Sequence, residues 1–362
     1  MLRAMSGITR LVLIYGGPSA EHEVSCVSAL HVSRAVDRSQ FEVHVLGVSR
    51  ELRWVDATEV ANALPSDAAS LPSPDGLDGL VQLPVPLLEA IGDGGTPPVV
   101  FPLIHGTMGE DGRLQGLLES SGVPYVGAGV LASALCMEKH VAKAVLRDGG
   151  LPQGDFRVVR VGDLSETTVE GIGLELGYPC FVKPSGQGSS VGVAKVDTAD
   201  ALLKALRSAL EYGDVALVEG YIDGREIELA VLGNAQPRCT APGEIVPSQD
   251  FYDYADKYSL GEAELLIPAP VPPDLADAAR ALALDAYRAL EVEGFARVDL
   301  FLVRSGALLV NEVNTIPGFT PISMYPKLWE HEGLAYAELI TELVELAHER
   351  FARHQAFRRS VE

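Results

Sequence analysis

The chain has 362 residues, with 28 Lys and Arg against 50 Asp and Glu, a formal net charge of −22 that argues against nucleic acid and anionic membrane surfaces as partners. Apolar residues make up 47%, enough for two or three packed domains. Leu11–Tyr15 is too short for a signal peptide, no run approaches the ~20 apolar residues of a membrane helix, and Cys26, Cys136, Cys180 and Cys239 lack CxxC spacing, so a cytoplasmic protein with reduced thiols is expected.

In chain order, Leu11–Tyr15 reads as a short buried strand, followed by a glycine turn and an amphipathic segment from about Val24. Phe41–Val48 and Val99–Ile104 are further strands, so the first third predicts a βα-wound parallel sheet. Residues 56–98, rich in Pro, Gly, Ser and Asp, interrupt it as a surface excursion in which Gly79–Leu83 and Leu87–Ile91 are expected to be ordered. Arg113–Ser121 is a helix closed by Gly122, and Val130–Arg147 reads as one helix crossing into a second domain. There Phe156–Val161, Cys180–Lys183, Gly192–Val196, Ala216–Tyr221 and Glu226–Leu232 are strands and Ala199–Tyr212 is a helix, an α+β pattern. The remainder holds a Tyr- and Asp-rich loop at 250–261, the helix Asp274–Glu291, and a hairpin of Ala296–Val303 with Ala307–Val313. A closing helix spans about Leu334–Phe351. Domains are expected at 1–138, 139–222 and 223–362.

The hairpin carries chemistry that its geometry predicts. Alternation puts Arg297 and Asp299 on one face, Glu312 and Asn314 on one face of the partner, and folding about Ser305–Gly306 brings Asp299 within a residue or two of Glu312. Such hard oxygen donors suit Mg²⁺ shared with substrate phosphates; an exposed, salt-bridged hairpin would use the same letters. Phe181–Gly192 runs from a strand ending in Lys183 into a Gly- and Ser-rich loop. Its backbone N–H groups and hydroxyls suit phosphate oxygens, or it is a plain turn; the P-loop order is absent.

Glu219, in Ala216–Tyr221, is placed to accept from an adenine amino group or a ribose hydroxyl, unless it simply ends a buried strand. Gly16–Ser25 is a glycine turn at a strand's C-terminal end, where ligands of wound sheets collect. Glu21 there either caps the helix or holds an ammonium group, and His22 reads equally well as a surface histidine. His105 opens HGTMGEDG on the same side; Glu110 and Asp111 are preferred as first-turn residues that favour the helix dipole. Phe251–Tyr258 is either a lid or a loop packed on a neighbour.

Taken together and in order, GGPSAEHEVS, HGTMGEDG, KPSGQGSSVG, FYDYADKY, ARVDLF and NEVNTIPGFTPIS resemble the ATP-grasp ligases, and among them the D-alanine:D-alanine ligases, from about Leu11 to Phe351. The resemblance implies an ATP-grasp fold: an N-terminal wound parallel-sheet α/β domain, a central α+β domain and a C-terminal α+β domain, with ATP between the last two. It implies that Lys139 and Lys183 contact ATP phosphates with Ser190 beside them. Glu219, Gly220, Tyr221 and Ile222 would line the adenine site and Glu226 bind the ribose. Asp299, Glu312 and Asn314 would hold two Mg²⁺, for which Mn²⁺ can substitute.

On the substrate side, the same resemblance gives Glu21 the ammonium of the first D-alanine and links it through Ser189 to Tyr258. Lys257 would reach the γ-phosphate. Arg297 and the Gly318 backbone would face the oxyanion, and Ser323 and Met324 would meet the second D-alanine's carboxylate. His105 would lie near the substrates and is a candidate to take the incoming amine's proton. A homodimer is implied. Lys257 and Tyr258 favour the dipeptide over a D-alanine:D-lactate product. Gln187 receives no role, and the 56–98 excursion is longer than in compact members.

Overall fold

The computed structural model describes residues 8–82, 84–92, 97–246, 264–320 and 322–357. Loop 250–261, with Lys257 and Tyr258, therefore lies outside the described residues.

The first part builds β1 (Thr9–Gly16), α1 (His22–Ala35), β2 (Phe41–Val48), β3 (Trp54–Asp56), α2 (Thr58–Ala63), α3 (Val85–Ile91), β4 (Val99–Pro102) and α4 (Arg113–Ser120). Its sheet runs β3-β2-β1-β4, with β1 parallel to β2 and β4 and β3 as an antiparallel edge. Covered on both faces, β1 has Leu11 to Tyr15 fully buried, which is why it reads as an unbroken apolar run.

The excursion is more ordered than its composition suggests, because it borrows partners from this sheet and helix. Leu71 is buried and its N–H donates to the Cys26 carbonyl at 3.2 Å, while the Tyr15 hydroxyl donates to the Pro72 carbonyl at 3.0 Å. Of Gly79–Leu83, Val81 bridges Trp54; residue 83 lies outside the described set.

Next come α5 (Val130–Met137) and α6 (Lys139–Asp148), where one helix was expected. The break is at Glu138, whose ψ of 87° leaves the helical region. It starts a new helix at Lys139, whose N–H donates to the Ser185 carbonyl at 3.1 Å instead of continuing the ladder. Then follow β5 (Phe156–Arg160), α7 (Glu166–Leu176), β6 (Cys180–Pro184), β7 (Ala194–Val196), α8 (Ala199–Ala209) and β8 (Val215–Gly220), with the strands in an antiparallel sheet β5-β8-β6-β7. Helix α7 escapes sequence reading because it buries only Val169 and Ile172.

The last part holds β9 (Gly224–Leu232), β10 (Arg238–Cys239), β11 (Gly243–Val246), β12 (Glu264–Leu266), α9 (Pro273–Ala289), β13 (Phe295–Val303), β14 (Leu308–Asn314), α10 (Met324–His331) and α11 (Tyr336–Gln355). Its sheet runs β12-β11-β9-β13-β14, with β10 beside β9.

One apolar cluster ties the two ends of the chain. Leu11, Leu13 and Phe101 of the first sheet pack with Phe295, Phe319, Tyr325 and Leu339. Phe319 meets Phe101, Phe295 and Tyr325 with ring centroids 5.7, 5.7 and 5.8 Å apart. These rings anchor the segment between β14 and α10, so that segment sits against the C-terminal ends of β1 and β4.

The turn after β1 depends on glycine. Gly16 has φ +92°, and a Cβ there would stand 2.3 Å from the Val48 carbonyl oxygen, a backbone atom that cannot swing aside. Gly16→Ala should lower unfolding free energy by at least about 2 kcal/mol. A urea titration would show this as a lower midpoint at unchanged slope.

Candidate active site

Two cavities, of about 380 and about 370 Å³, share a wall made by Lys139, Gly188, Ser189, Glu228, Ile245, Arg297 and Glu312. The second adds Lys183, Ser190, Glu219, Gly220, Tyr221, Ile222, Glu226 and Asp299; the first adds Glu21, His105, Glu110, Asn314, Gly318, Ser323 and Met324. Every described candidate thus lines one cavity or both.

In the second cavity, Lys183 and Glu219 stand one residue before the ends of β6 and β8, and the pairing of Phe181 with Glu219 sets their two side chains near one another. Glu219 lies between two ammonium groups: Lys143 Nζ is 2.7 Å from Oε1, and Lys183 pairs with Oε2. Burial alone would raise this carboxyl, but the Lys183 and Lys143 charges outweigh it and hold it at about 2. Burial likewise opposes the Lys183 charge, and Glu219 and Glu312 overcome it, so that ammonium titrates above its ordinary value. Lys143 was not singled out in the sequence, yet it stands four residues after Lys139, on the same helical face. Tyr221 stacks on Phe181 with centroids 6.4 Å apart, under Lys195, leaving an aromatic face beside the cavity.

The glycine loop between β6 and β7 bends through Ser189 and Ser190, at φ +49° and +58°. Left-handed backbone at two consecutive non-glycine residues is uncommon and characteristic of functional loops. Lys139 Nζ donates to the Gln187 carbonyl at 2.7 Å and stands 3.6 Å from Glu312, tying the loop to β14.

The hairpin brings Asp299 and Glu312 together as expected, and a register shift between Asp299 and Leu300 sets them directly opposite: Asp299 faces Glu312 and Arg297 faces Asn314. On the other side Asp299 faces Glu228 of β9, so three adjacent strands set three carboxylates in a row. Arg297 is half-buried among them, with Nε 2.7 Å from Asp299 Oδ1 and 3.1 Å from Glu228 Oε1. Desolvation works against its charge; Asp299 and Glu228 prevail and keep the guanidinium protonated. Asn314 Nδ2 donates to Asp299 Oδ2 at 2.9 Å. Asp299, Glu312 and Asn314 offer two carboxylates and a carboxamide, all hard oxygen donors. Among the described residues no group of three or more His, Cys, Asp or Glu forms a metal cage. That set fits Mg²⁺, which completes its sphere with phosphate oxygens and water.

In the first cavity, Glu21 is buried, and a Cβ on Gly106 or Gly188 would stand 3.5 or 3.6 Å from its Oε2. These are ordinary contact distances, so both glycines stand directly against the carboxylate. The helix start bears no side-chain cap bond from Glu21. His22 is not at the surface: it is fully buried, with Nδ1 2.6 Å from the Gly17 carbonyl oxygen and Nε2 2.9 Å from Ser73 Oγ. It braces the turn from the excursion's side, a contact invisible in sequence because Ser73 lies 51 residues away. His105 is buried with both ring nitrogens engaged, Nδ1 donating to the Ile316 carbonyl at 3.0 Å and Nε2 3.3 Å from Ser28 Oγ.

The HGTMGEDG acids divide. Asp111, accepting from the N–H groups of Met108 at 2.7 Å and Arg113 at 3.1 Å, stands ahead of α4 and not in its first turn as expected, because the helix begins at Arg113, and it plays a structural part there. Glu110 does not: its Oε1 accepts from Gly106 N–H at 2.8 Å and Oε2 from Ile316 N–H at 3.2 Å, on the cavity wall. Burial and then the nearby Glu21 charge push its carboxyl up to about 8. Gly318 and Ser323 sit together, since a Cβ on Gly318 would meet Ser323 Oγ at 2.7 Å, and Thr320 N–H donates to Ser323 Oγ at 3.1 Å.

The wound sheet followed by two antiparallel sheets, with a nucleotide-sized cavity walled by both of these, is the architecture of ATP-grasp enzymes. Family models described as the D-ala D-ala ligase N-terminus and C-terminus match residues 10–128 and 145–345. The chain therefore belongs to the D-alanine–D-alanine ligase family. It is 45% identical to D-alanine–D-alanine ligase A of Chromobacterium violaceum, over 98% of this chain and 99% of that one. It is 43% identical to the Escherichia coli K12 protein of the same name, over 96% and 98%. The solved D-alanine–D-alanine ligase of Coxiella burnetii superposes with a TM-score of 0.81 at 36% identity, covering 96% of both chains. The VanG D-Ala:D-Ser ligase of Enterococcus faecalis superposes at 0.79 and 32%, covering 94% of this chain and 100% of that one.

Glu219→Gln would leave the buried Lys143 and the half-buried Lys183 ammonium groups facing a neutral amide. Stability at pH 7 should fall by about 3–5 kcal/mol. Because the folded carboxyl is depressed to about 2, its contribution is full above the ordinary value of 4.5 and is lost as pH falls through the folded value. The Tm gap between the two proteins should narrow as pH drops from about 5 toward about 3. A gap of constant size would show that the lysines do not depend on this carboxylate.

Proposed function

We propose that the chain joins two D-alanines to D-alanyl-D-alanine, with ATP converted to ADP and phosphate, for peptidoglycan precursor synthesis. The observation that carries the reading is the shared wall of the two cavities. Lys139, Ser189, Arg297 and Glu312 border both, so a nucleotide's terminal phosphate and a small acid held at Glu21 can meet there.

A carboxylate is a poor acyl donor because attack by an amine would have to expel oxide. Phosphoryl transfer from ATP to the first D-alanine's carboxylate gives an acyl phosphate with a good leaving group. The second D-alanine's amine then attacks the carbonyl, and phosphate departs. No protein nucleophile is needed, so the side chains orient and stabilise charge.

Lys139, Lys183 and Ser190 hold the phosphates; Gly220, Tyr221, Ile222 and Glu226 hold the nucleoside. Glu219 contributes by fixing Lys183, since both its oxygens are already taken by lysines. Glu21 anchors the first ammonium beside Ser189. Arg297 and the Gly318 N–H face the oxyanion of the tetrahedral intermediate, and Ser323 and Met324 hold the second carboxylate. His105 stands on the same wall. Asp299, Glu312 and Asn314 would hold two Mg²⁺, with Mn²⁺ as a substitute; bound there, the metal supplies neutralisation of phosphate charge.

Lys257 and Tyr258 complete the reading as the γ-phosphate contact and the partner of Ser189. The domains are proposed as 1–138, 139–222 and 223–362. The family resemblance supports a homodimer and a cytoplasmic location. Among the described residues no helix is long and apolar enough to cross a membrane.

The deciding assay is phosphate release from ATP with D-alanine, with L-alanine, and with D-alanine plus D-lactate, followed by product mass. D-Alanine alone should stimulate release and yield the dipeptide. An ester product would favour the depsipeptide alternative, and no stimulation by any D-acid would refute the ligase reading. Arg297→Ala should lower kcat by about 10²–10³-fold, as loss of an oxyanion donor does; near-normal turnover would remove Arg297 from that role. Excess chelator should abolish measurable ATP binding, because Asp299 and Glu312 then repel the phosphates; tight binding without metal would contradict the metal assignment.

A further inference from the structure

Residues 315–323 join β14 to α10 and carry Gly318 and Ser323, both assigned above to the acyl acceptor and its oxyanion. Loops of this kind hold a catalytic N–H in place only when their own backbone is fixed. Here the fixing groups come from the other end of the chain. Glu110 Oε2 accepts from the Ile316 N–H at 3.2 Å, and His105 Nδ1 donates to the Ile316 carbonyl at 3.0 Å. These partners lie 206 and 211 residues away in sequence. Both polar backbone groups of one residue are thus held from the HGTMGEDG loop. Glu110 also closes that loop on itself, because its Oε1 accepts from Gly106 N–H at 2.8 Å, next to His105.

We infer that Glu110 is a positioning residue of the ligase reaction: its carboxyl bridges Gly106 and Ile316, and with His105 it sets the strap that presents the Gly318 N–H to the tetrahedral intermediate. The inference rests on the ligase reading above. Ile316 is followed by Pro317, whose fixed φ passes a displacement at Ile316 directly to Gly318. On the far side, Phe319 is locked in the aromatic cluster and its carbonyl accepts from the Tyr336 hydroxyl at 2.7 Å. The Gly318 N–H therefore sits between two fixed points, and Glu110 supplies one of them. Each carboxyl oxygen keeps an accepting lone pair in either protonation state, whereas a carboxamide puts an NH₂ donor against one of the two N–H groups.

Glu110→Gln is nearly isosteric and breaks one arm of the bridge. In that variant kcat should fall about 10²-fold, the loss typical of a small misplacement of a catalytic group. The KM for ATP should stay within about 2-fold, since no part of the bridge touches the nucleotide cavity. Affinity for a phosphinate mimic of the tetrahedral intermediate should fall by about the same factor as kcat. A loss of folded protein would lower kcat alone and leave KM for ATP and phosphinate affinity unchanged, so a kcat loss with unchanged phosphinate affinity would overturn the inference, as would a kcat loss matched by an equal rise in KM for ATP or an unchanged kcat.

Amide hydrogen exchange of the peptide spanning 313–320 is the second measurement. The Ile316 amide should be protected in the unsubstituted protein and exchange faster in the variant. An unprotected Ile316 amide in the unsubstituted protein refutes the bridge without any variant. If the unsubstituted protein makes no dipeptide, the ligase reading fails, while this exchange result still decides whether the bridge exists.

Discussion

A polyanion has to be held by a chain that itself carries a net charge of −22. Everything at the site depends on keeping a few cations charged, close together and largely dry. The protein does this by pairing each with a carboxylate that neighbouring strands or helices hold in place. Glu219 lies between Lys143 and Lys183, and Asp299 and Glu228 flank Arg297. Burial by itself would discharge the lysine and depress the arginine; the flanking carboxylates reverse both effects. At physiological ionic strength the distant acidic surface is screened beyond about 8 Å, so these local pairs decide what binds.

The carboxylates have a second use. Asp299 and Glu312 are held in register across a hairpin, and each has a cationic neighbour, Arg297 or Lys139. In the proposed reaction, metal and nucleotide enter as a unit that takes over part of this pairing. These carboxylates and cations already hold one another across the strands, which limits the reorganisation needed when charge develops. The cost falls on the fold, which orders Ser189 and Ser190 in left-handed backbone.

The wall of the first cavity is joined through backbone as well as charge. Loops after β1 and β4 meet the strap after β14, with Phe319 beneath it and Ile316 held above. The excursion at 56–98 belongs to the same construction. His22 reaches Ser73 across it, and Tyr15 reaches Pro72, so the segment buttresses the glycine turn that carries Glu21.

Much of this was legible from residue order alone. Alternation along two strands brought Asp299 within a residue or two of Glu312, because a hairpin's side chains follow its turn and its period of two; the bulge between Asp299 and Leu300, which sets the two carboxylates directly opposite, was not legible. Unbroken apolar runs marked the buried cores of β1 and β4, because both faces of the sheet are covered there. Six spaced motifs marked the family. The roles of Glu110, Lys143, Glu228 and His22 were decided only by tertiary structure. Each is fixed by a partner distant in sequence or on another element: Ile316, Glu219, Arg297 and Ser73. The break at Glu138 belongs with them, since the helical pattern continues through it and only the Ser185 carbonyl gives Lys139 a reason to start afresh. Local periodicity encodes what a residue does relative to its neighbours in the chain, whereas the charge of a buried group depends on whatever the fold brings within a few ångströms of it.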